Sequence, residues 1–203
     1  MSHTYLFLGD SITDANRLWL PESNGLGNGY VSILDQYLTA QEPTAYIINK
    51  GHDGFTVSAL LRSIQSDCIT YRPDFVSILI GINDIGVAMN TGVSLENLHF
   101  SKIYENLLYT ICTETDASLL CLGPFIFPYP QEYLLWMNMV REAEQIIAAL
   151  ANRYQIPFVP LHDLLNTTAK EQGYPAITTD GIHLTQNGHR ILADLIYPYC
   201  NVK

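Results

Sequence analysis

A short apolar run, Leu6-Phe7-Leu8, stops at Gly9-Asp10 and delivers Ser11. A serine hydroxyl is a weak nucleophile until a base takes its proton. Histidine titrates near neutrality and suits that task. His183 stands in the stretch Asp180-Gly181-Ile182-His183. That spacing lets the Asp180 carboxylate turn back onto one ring nitrogen and fix the tautomer. The other nitrogen is left facing a serine, and the imidazolium formed during attack is stabilised. Attack on an ester carbonyl creates an oxyanion, which needs preorganised donors. Three residues offer them. The backbone N–H of Ser11 lies at a strand-to-helix turn, where amides are free. Gly51 has no side chain to keep a substrate from its N–H. Asn83 has a side-chain amide. Together these residues predict acyl transfer through Ser11, with His183 as base, Asp180 as its orienting acid, and Ser11, Gly51 and Asn83 as the oxyanion hole.

Each piece alone has a plainer explanation. Ser11 could cap a helix. Asn83-Asp84 could form an Asx turn, and Asp180-Gly181, Gly51 and Gly54 could be ordinary turns. What argues for a site is their joint arrival at the ends of the elements that would position them. Five short apolar runs read as strands: Tyr5–Leu8, Tyr46–Asn49, Phe75–Ile80, Leu119–Leu122 and Pro157–Pro160. They are continuous rather than alternating, as in strands covered on both faces. Helical spacing appears in Gly29–Leu38, Val57–Tyr71, Leu95–Cys112, Tyr133–Tyr154 and Gln186–Tyr197. Trp19–Gly29 and Gly86–Ser94 read as irregular loops. Strand–helix alternation predicts one doubly wound α/β domain over residues 1–203, with a five-stranded parallel sheet between helical layers. Such sheets bind ligands at the carboxyl ends of their strands, where Ser11, Gly51, Asn83 and the Asp180–His183 stretch fall.

The bulk composition narrows the partners. Ten basic and twenty acidic residues give a net charge of −10. That disfavours nucleic acid and anionic membranes, which attract basic patches. No apolar stretch reaches the ~20 residues of a membrane span. The chain opens without a basic segment leading into an apolar one, so the expected location is cytoplasmic. Cys68, Cys112, Cys121 and Cys200 form no CxxC pair and read as buried free thiols. His162-Asp163 could be imagined beside His183 as a metal site. No HExxH or Cys/His cluster accompanies it, so no metal or other cofactor is expected.

The blocks Gly9-Asp10-Ser11, Gly51, Gly81-x-Asn83-Asp84 and Asp180-x-x-His183 resemble the SGNH, or GDSL-type, hydrolases. The stretches GDSITD, GLGNGYV, RPDFVSILIGIND and GPF resemble a bacterial subgroup of that family that includes acetylxylan esterases. The resemblance implies a flavodoxin-like α/β/α sandwich and a cofactor-free serine esterase acting on a small-molecule ester, with a short acyl group, acetyl above all, on a carbohydrate. Oligomers occur in the subgroup, so a homo-oligomer is among the expectations. The chain departs from the pattern at Ile12, at His52-Asp53 and at Ile85-Gly86-Val87. Asp10, His52, Asp53, Asp84 and Phe125 are further candidates for substrate contact. So is an aromatic wall from Phe125, Phe127, Tyr129, Tyr133 and Trp136. The same residue set would also suit a thioesterase, a lysophospholipase or an acyltransferase. A different class, a non-catalytic small-ligand module, would leave Ser11 unreactive.

Overall fold

The computed structural model describes residues 2–18 and 25–200. The first part of the Trp19–Gly29 stretch, Trp19 included, lies outside the described residues. Five strands form one sheet: β1 (Thr4–Gly9), β2 (Tyr46–Gly51), β3 (Phe75–Leu79), β4 (Ser118–Leu122) and β5 (Phe158–Val159). Every pairing is parallel, and the order is β2-β1-β3-β4-β5. This is the flavodoxin-like order. The direction of winding reverses between β1 and β3, which opens a crevice at their carboxyl ends. Leu6, Phe7 and Leu8 in β1 and Val76 and Ile78 in β3 are fully buried, which explains why these strands carry no polar alternation.

The helices are α1 (Ser11–Asp14), α2 (Tyr30–Gln41), α3 (Val57–Asp67), α4 (Ile82–Thr91), α5 (Phe100–Glu114), α6 (Met137–Arg153), α7 (Leu161–Gln172), α8 (Tyr174–Ile177) and α9 (Gln186–Ile196). Helix α2 packs on α9, while α3, α5 and α6 pack in series. Right-handed crossovers put these two groups on opposite faces of the sheet.

The sequence pattern missed or misplaced several helices. Residues 86–91, read as irregular, belong to α4. Gly86 interrupts the apolar pattern there, although Ile82, Ile85 and Ala88 are buried at helical spacing. Helix α7 was not anticipated, because two inward positions of its stripe are polar: His162 and Asn166 are buried beside Leu161, Leu165 and Ala169. Helix α5 begins at Phe100 rather than Leu95. The Val57–Tyr71 pattern breaks at Cys68 and ends in a 3₁₀ turn, Ile69–Tyr71. The Tyr133–Tyr154 pattern spans the end of another 3₁₀ turn, Gln131–Leu135, before α6. Cys68, Cys121 and Cys200 are buried free thiols as expected, whereas Cys112 is exposed.

The core also holds ionisable groups. Glu144 of α6 is 8% exposed, and its Oε1 accepts the His162 N–H at 3.1 Å. Burial pushes its carboxyl up to about 7, against the single hydrogen bond that pulls it down. The folded state therefore holds this proton over a pH range in which the unfolded chain has released it. The stability tied to that proton is complete below the unfolded carboxyl's pKa and is lost as pH rises through about 7. Glu144→Gln is expected to stabilise the protein by about 2 kcal/mol at pH 8 and to change little at pH 5. Equilibrium urea unfolding at the two pH values checks this; a gain of equal size at both would contradict it.

Candidate active site

The carboxyl ends of β1, β2 and β3 and the loop before α9 converge on Ser11. The residue before it, Asp10, caps α1: its Oδ1 accepts the Ile12 N–H at 3.0 Å. The Thr13 N–H, another donor of this first turn, and the Asp14 N–H, which makes the first i→i−4 bond, both reach the Asp10 carbonyl. The Ser11 N–H has no partner among the described residues, as expected at the start of a helix. Ser11 Oγ lies 2.9 Å from His183 Nε2. On the other side of the ring, His183 Nδ1 lies 2.7 Å from Asp180 Oδ2. A carboxylate can only accept, so Nδ1 carries the hydrogen and Nε2 is free to accept the Ser11 hydroxyl proton.

Asp180 is well provided for. Its Oδ1 accepts the N–H groups of Ile182 at 2.9 Å and His183 at 2.7 Å. Partial burial works to raise its carboxyl, but the His183 hydrogen bond and these two amides outweigh it and hold the carboxyl below its ordinary value. The loop is pinned in turn. The His183 carbonyl accepts from Thr178 Oγ1 at 2.7 Å and from the Thr179 N–H at 3.0 Å. The Gly181 carbonyl accepts the Phe127 N–H at 2.8 Å, tying the loop to the segment after β4.

Not every expected residue reaches the crevice. Gly51 is buried, and its N–H donates to Asn49 Oδ1 at 2.8 Å. A Cβ there would lie 2.0 Å from Asp14 N, so Gly51 is required for the close approach of β2 to α1 and its N–H is not free for an oxyanion. The sequence missed its neighbour Gly54. That residue is exposed, its φ of +72° demands glycine, a Cβ on it would meet nothing, and its N–H has no partner among the described residues. Both glycines fall in one Gly-rich stretch, and only the backbone path tells them apart. Asn83, in the first turn of α4, lines a cleft with Gly54 and Trp136. One hydrogen of its Nδ2 is held by the Phe55 carbonyl at 2.9 Å, and the other has no partner among the described residues.

Of the five candidates for substrate contact, only Asp53 lines the cleft beside Ser11. Asp10 is 1% exposed and spent on capping; burial pushes its carboxyl up to about 7. Asp84 is buried with Oδ2 accepting the Val57 N–H at 3.0 Å, and burial raises it to about 6. Phe125 is fully buried against Phe127. His52 turns away toward Asp67, with its Nε2 2.9 Å from Asp67 Oδ2. Of the aromatic set, Trp136 lines a cleft with Asn83, while Tyr133 packs edge-on against it. His162 is buried, with Nδ1 accepting the Ile126 N–H, and joins no site with His183.

One cleft opens at the Ser11–His183 pair, and a second is lined by Ile182, the residue before His183. The first, of about 460 Å³, is lined by Ser11, His183, Asn16, Asn28, Asp53, Gln186 and His189. The last of these takes the Tyr30 N–H on Nδ1 at 3.3 Å, and burial lowers its pKa to about 4, so it sits there neutral. The other, of about 450 Å³, runs past Gly54 and Asn83 to Gly86, Val87, Trp136 and Ile182.

The profile of the GDSL-like lipase/acylhydrolase family matches residues 7–191. The chain belongs to this family. An acetylxylan esterase of Geobacillus stearothermophilus is 32% identical over 197 residues, which cover 93% of this chain and 89% of that one. The crystal structure of Axe2, an acetylxylan esterase of the same organism, superposes with a TM-score of 0.80 at 27% identity, covering 97% of this chain and 93% of that one. Catalytic mutants of Axe2 at a serine, an aspartate and a histidine also match, the serine mutant with a TM-score of 0.85 at 26% identity over 99% of this chain and 95% of that one. Its aspartate and histidine have the same spacing as Asp180 and His183. LAE5, an alpha/beta hydrolase from the metagenome of Lake Arreo, Spain, shares the fold, with a TM-score of 0.83 at 23% identity over 97% of this chain and 94% of that one. Family membership makes the chain an ester-cleaving acylhydrolase of the serine type.

A fluorophosphonate probe is expected to label Ser11 and no other hydroxyl, since among the described residues Ser11 is the serine bonded to a histidine ring. Peptide mapping after labelling checks this; modification elsewhere, with Ser11 unlabelled, would contradict it.

Proposed function

We propose that this protein hydrolyses short-acyl esters, acetyl esters on carbohydrates in particular, through an acyl-Ser11 intermediate. The observation that carries the reading is the aligned series Ser11 Oγ, His183 Nε2, His183 Nδ1 and Asp180 Oδ2, with contacts of 2.9 and 2.7 Å. Ser11 Oγ attacks the ester carbonyl carbon while its proton passes to His183 Nε2. The carbonyl π pair moves onto oxygen, and the resulting oxyanion is held by the N–H groups of Ser11 and Gly54 and the free hydrogen of Asn83. When the tetrahedral species collapses, the C–O bond to the alcohol breaks, and His183 Nε2 returns the proton to the departing oxygen. Water then repeats the two steps on the acyl-serine and releases the acid.

The leaving alcohol takes its proton from His183, so it belongs in the cleft on the histidine side. That cleft is edged by Asn16, Asn28, Asp53 and Gln186, which suit an alcohol rich in hydroxyl groups. The acyl group belongs on the Asn83 side, against Trp136, Val87 and Ile182. The relatives that act on acetylated xylan support this choice of substrate. A cytoplasmic location fits the four free thiols.

Ser11→Ala is expected to lower kcat on p-nitrophenyl acetate by about 10⁴- to 10⁶-fold with the thermal midpoint nearly unchanged. Asn83→Ala is expected to cost about 100- to 1000-fold. Steady-state kinetics with a parallel melting curve decides both, and turnover surviving Ser11→Ala would remove the nucleophile from the scheme. Acetylated xylo-oligosaccharides should exceed esters with acyl chains above about six carbons by at least about tenfold in kcat/KM. The reverse order would favour a lysophospholipase-type activity.

A further inference from the structure

His52 was expected at the substrate, yet its ring is held from two sides away from the cleft. Its Nε2 lies 2.9 Å from Asp67 Oδ2 at the end of α3, and its Nδ1 lies 3.3 Å from Arg17 Nη2. Arginine only donates and an ionised carboxylate only accepts, so both contacts are satisfied by neutral imidazole with its hydrogen on Nε2. One face of the ring lies on Phe55, with centroids 4.3 Å apart and planes 19° apart.

We propose that His52 is a positioning residue for the oxyanion hole, a role that rests on the reading of Ser11, Gly54 and Asn83 given above. The His52 carbonyl accepts the Phe55 N–H at 3.2 Å and closes the turn that holds Gly54 at φ +72°. The Phe55 carbonyl accepts Asn83 Nδ2 at 2.9 Å. The two oxyanion donors outside the serine turn are thus both referenced to the segment that His52 anchors. Arg17 extends the anchor to the nucleophile. Its Nε donates to the Gly51 carbonyl at 2.7 Å and pairs with Asp14 Oδ1 at 3.0 Å, in the helix that Ser11 begins. Lys50, 3.6 Å from Asp67 Oδ1, adds a cation on the far side of the clamp. The clamp Arg17–His52–Asp67 therefore fixes the turn that carries Gly54 and holds Asn83 relative to the turn carrying the nucleophile. This matters because donors must meet the oxyanion at about 2.7–3.1 Å, and a misplacement of about 1 Å costs on the order of 100-fold in rate.

A double-mutant cycle on p-nitrophenyl acetate tests the proposal with the full chain. His52→Ala is expected to lower kcat about tenfold while KM stays within about twofold. In an Asn83→Ala background the same substitution should cost less than about threefold, because one of the donors it aims is already gone. Asp67→Asn leaves the ring and its stack in place but weakens one grip, and it should lose about threefold in kcat. An equal loss from His52→Ala in both backgrounds, or unchanged kcat in His52→Ala and Asp67→Asn, overturns the positioning role. Ser11→Ala measured alongside separates the two levels. An inactive Ser11→Ala with wild-type His52 variants removes only this proposal, whereas an active Ser11→Ala removes the site reading beneath it.

Discussion

The contact between Ser11 Oγ and His183 Nε2 joins residues 172 positions apart, and the rest of the site serves to hold its two ends. At one end the Asp10 carboxylate caps a four-residue helix and so fixes the direction in which Ser11 leaves β1. At the other end Asp180 takes three hydrogen bonds from its own loop, and Thr178 and Thr179 hold the His183 carbonyl. Neither end is positioned by the other's element. The sheet order supplies the common frame, because β1 and β3 part company where the crevice opens.

Two aspartates near this contact have opposite environments. Asp10 is sealed beneath the serine turn, where loss of hydration favours its neutral form against the Ile12 hydrogen bond, which favours the anion. Asp180 sits at the open rim, half-exposed, and its hydrogen bonds favour the anion. An anion is what the imidazolium of the proposed reaction needs beside it. The division of labour follows from burial and bonding rather than from residue type, since both are the same side chain.

Much of this was legible in the sequence. The apolar runs gave all five strands because parallel strands buried on both faces leave a continuous signature, and the blocks with Ser11, Gly51 and Asn83 fell at the ends of β1, β2 and β3, whereas Asp180–His183 lies in the loop between α8 and α9. Ser11, His183 and Asp180 are joined in one hydrogen-bonded series, and Asn83 lines the second cleft. What could not be read was the path of short loops. Gly51 and Gly54 have equal standing in a string of letters, but one is pressed against the backbone of Asp14 and the other stands at positive φ with its N–H unbonded. His52 and Asp84 carry reactive types, yet one grips Asp67 and the other caps α3. Helix α7 escaped because buried His162 and Asn166 break its apolar stripe. In each case the deciding fact is a partner distant in sequence, which periodicity does not encode.

The central claim is that one carbonyl carbon can sit within reach of Ser11 Oγ while its oxygen meets donors from three separate elements. A crystal structure of the protein phosphonylated on Ser11 tests this most directly, because the phosphonyl oxygen occupies the place of the oxyanion. The account predicts that oxygen within about 3 Å of Ser11 N, Gly54 N and Asn83 Nδ2, with His183 Nε2 facing the leaving-group side. A phosphonyl oxygen turned away from Gly54 and Asn83, or an adduct on another residue, would contradict it.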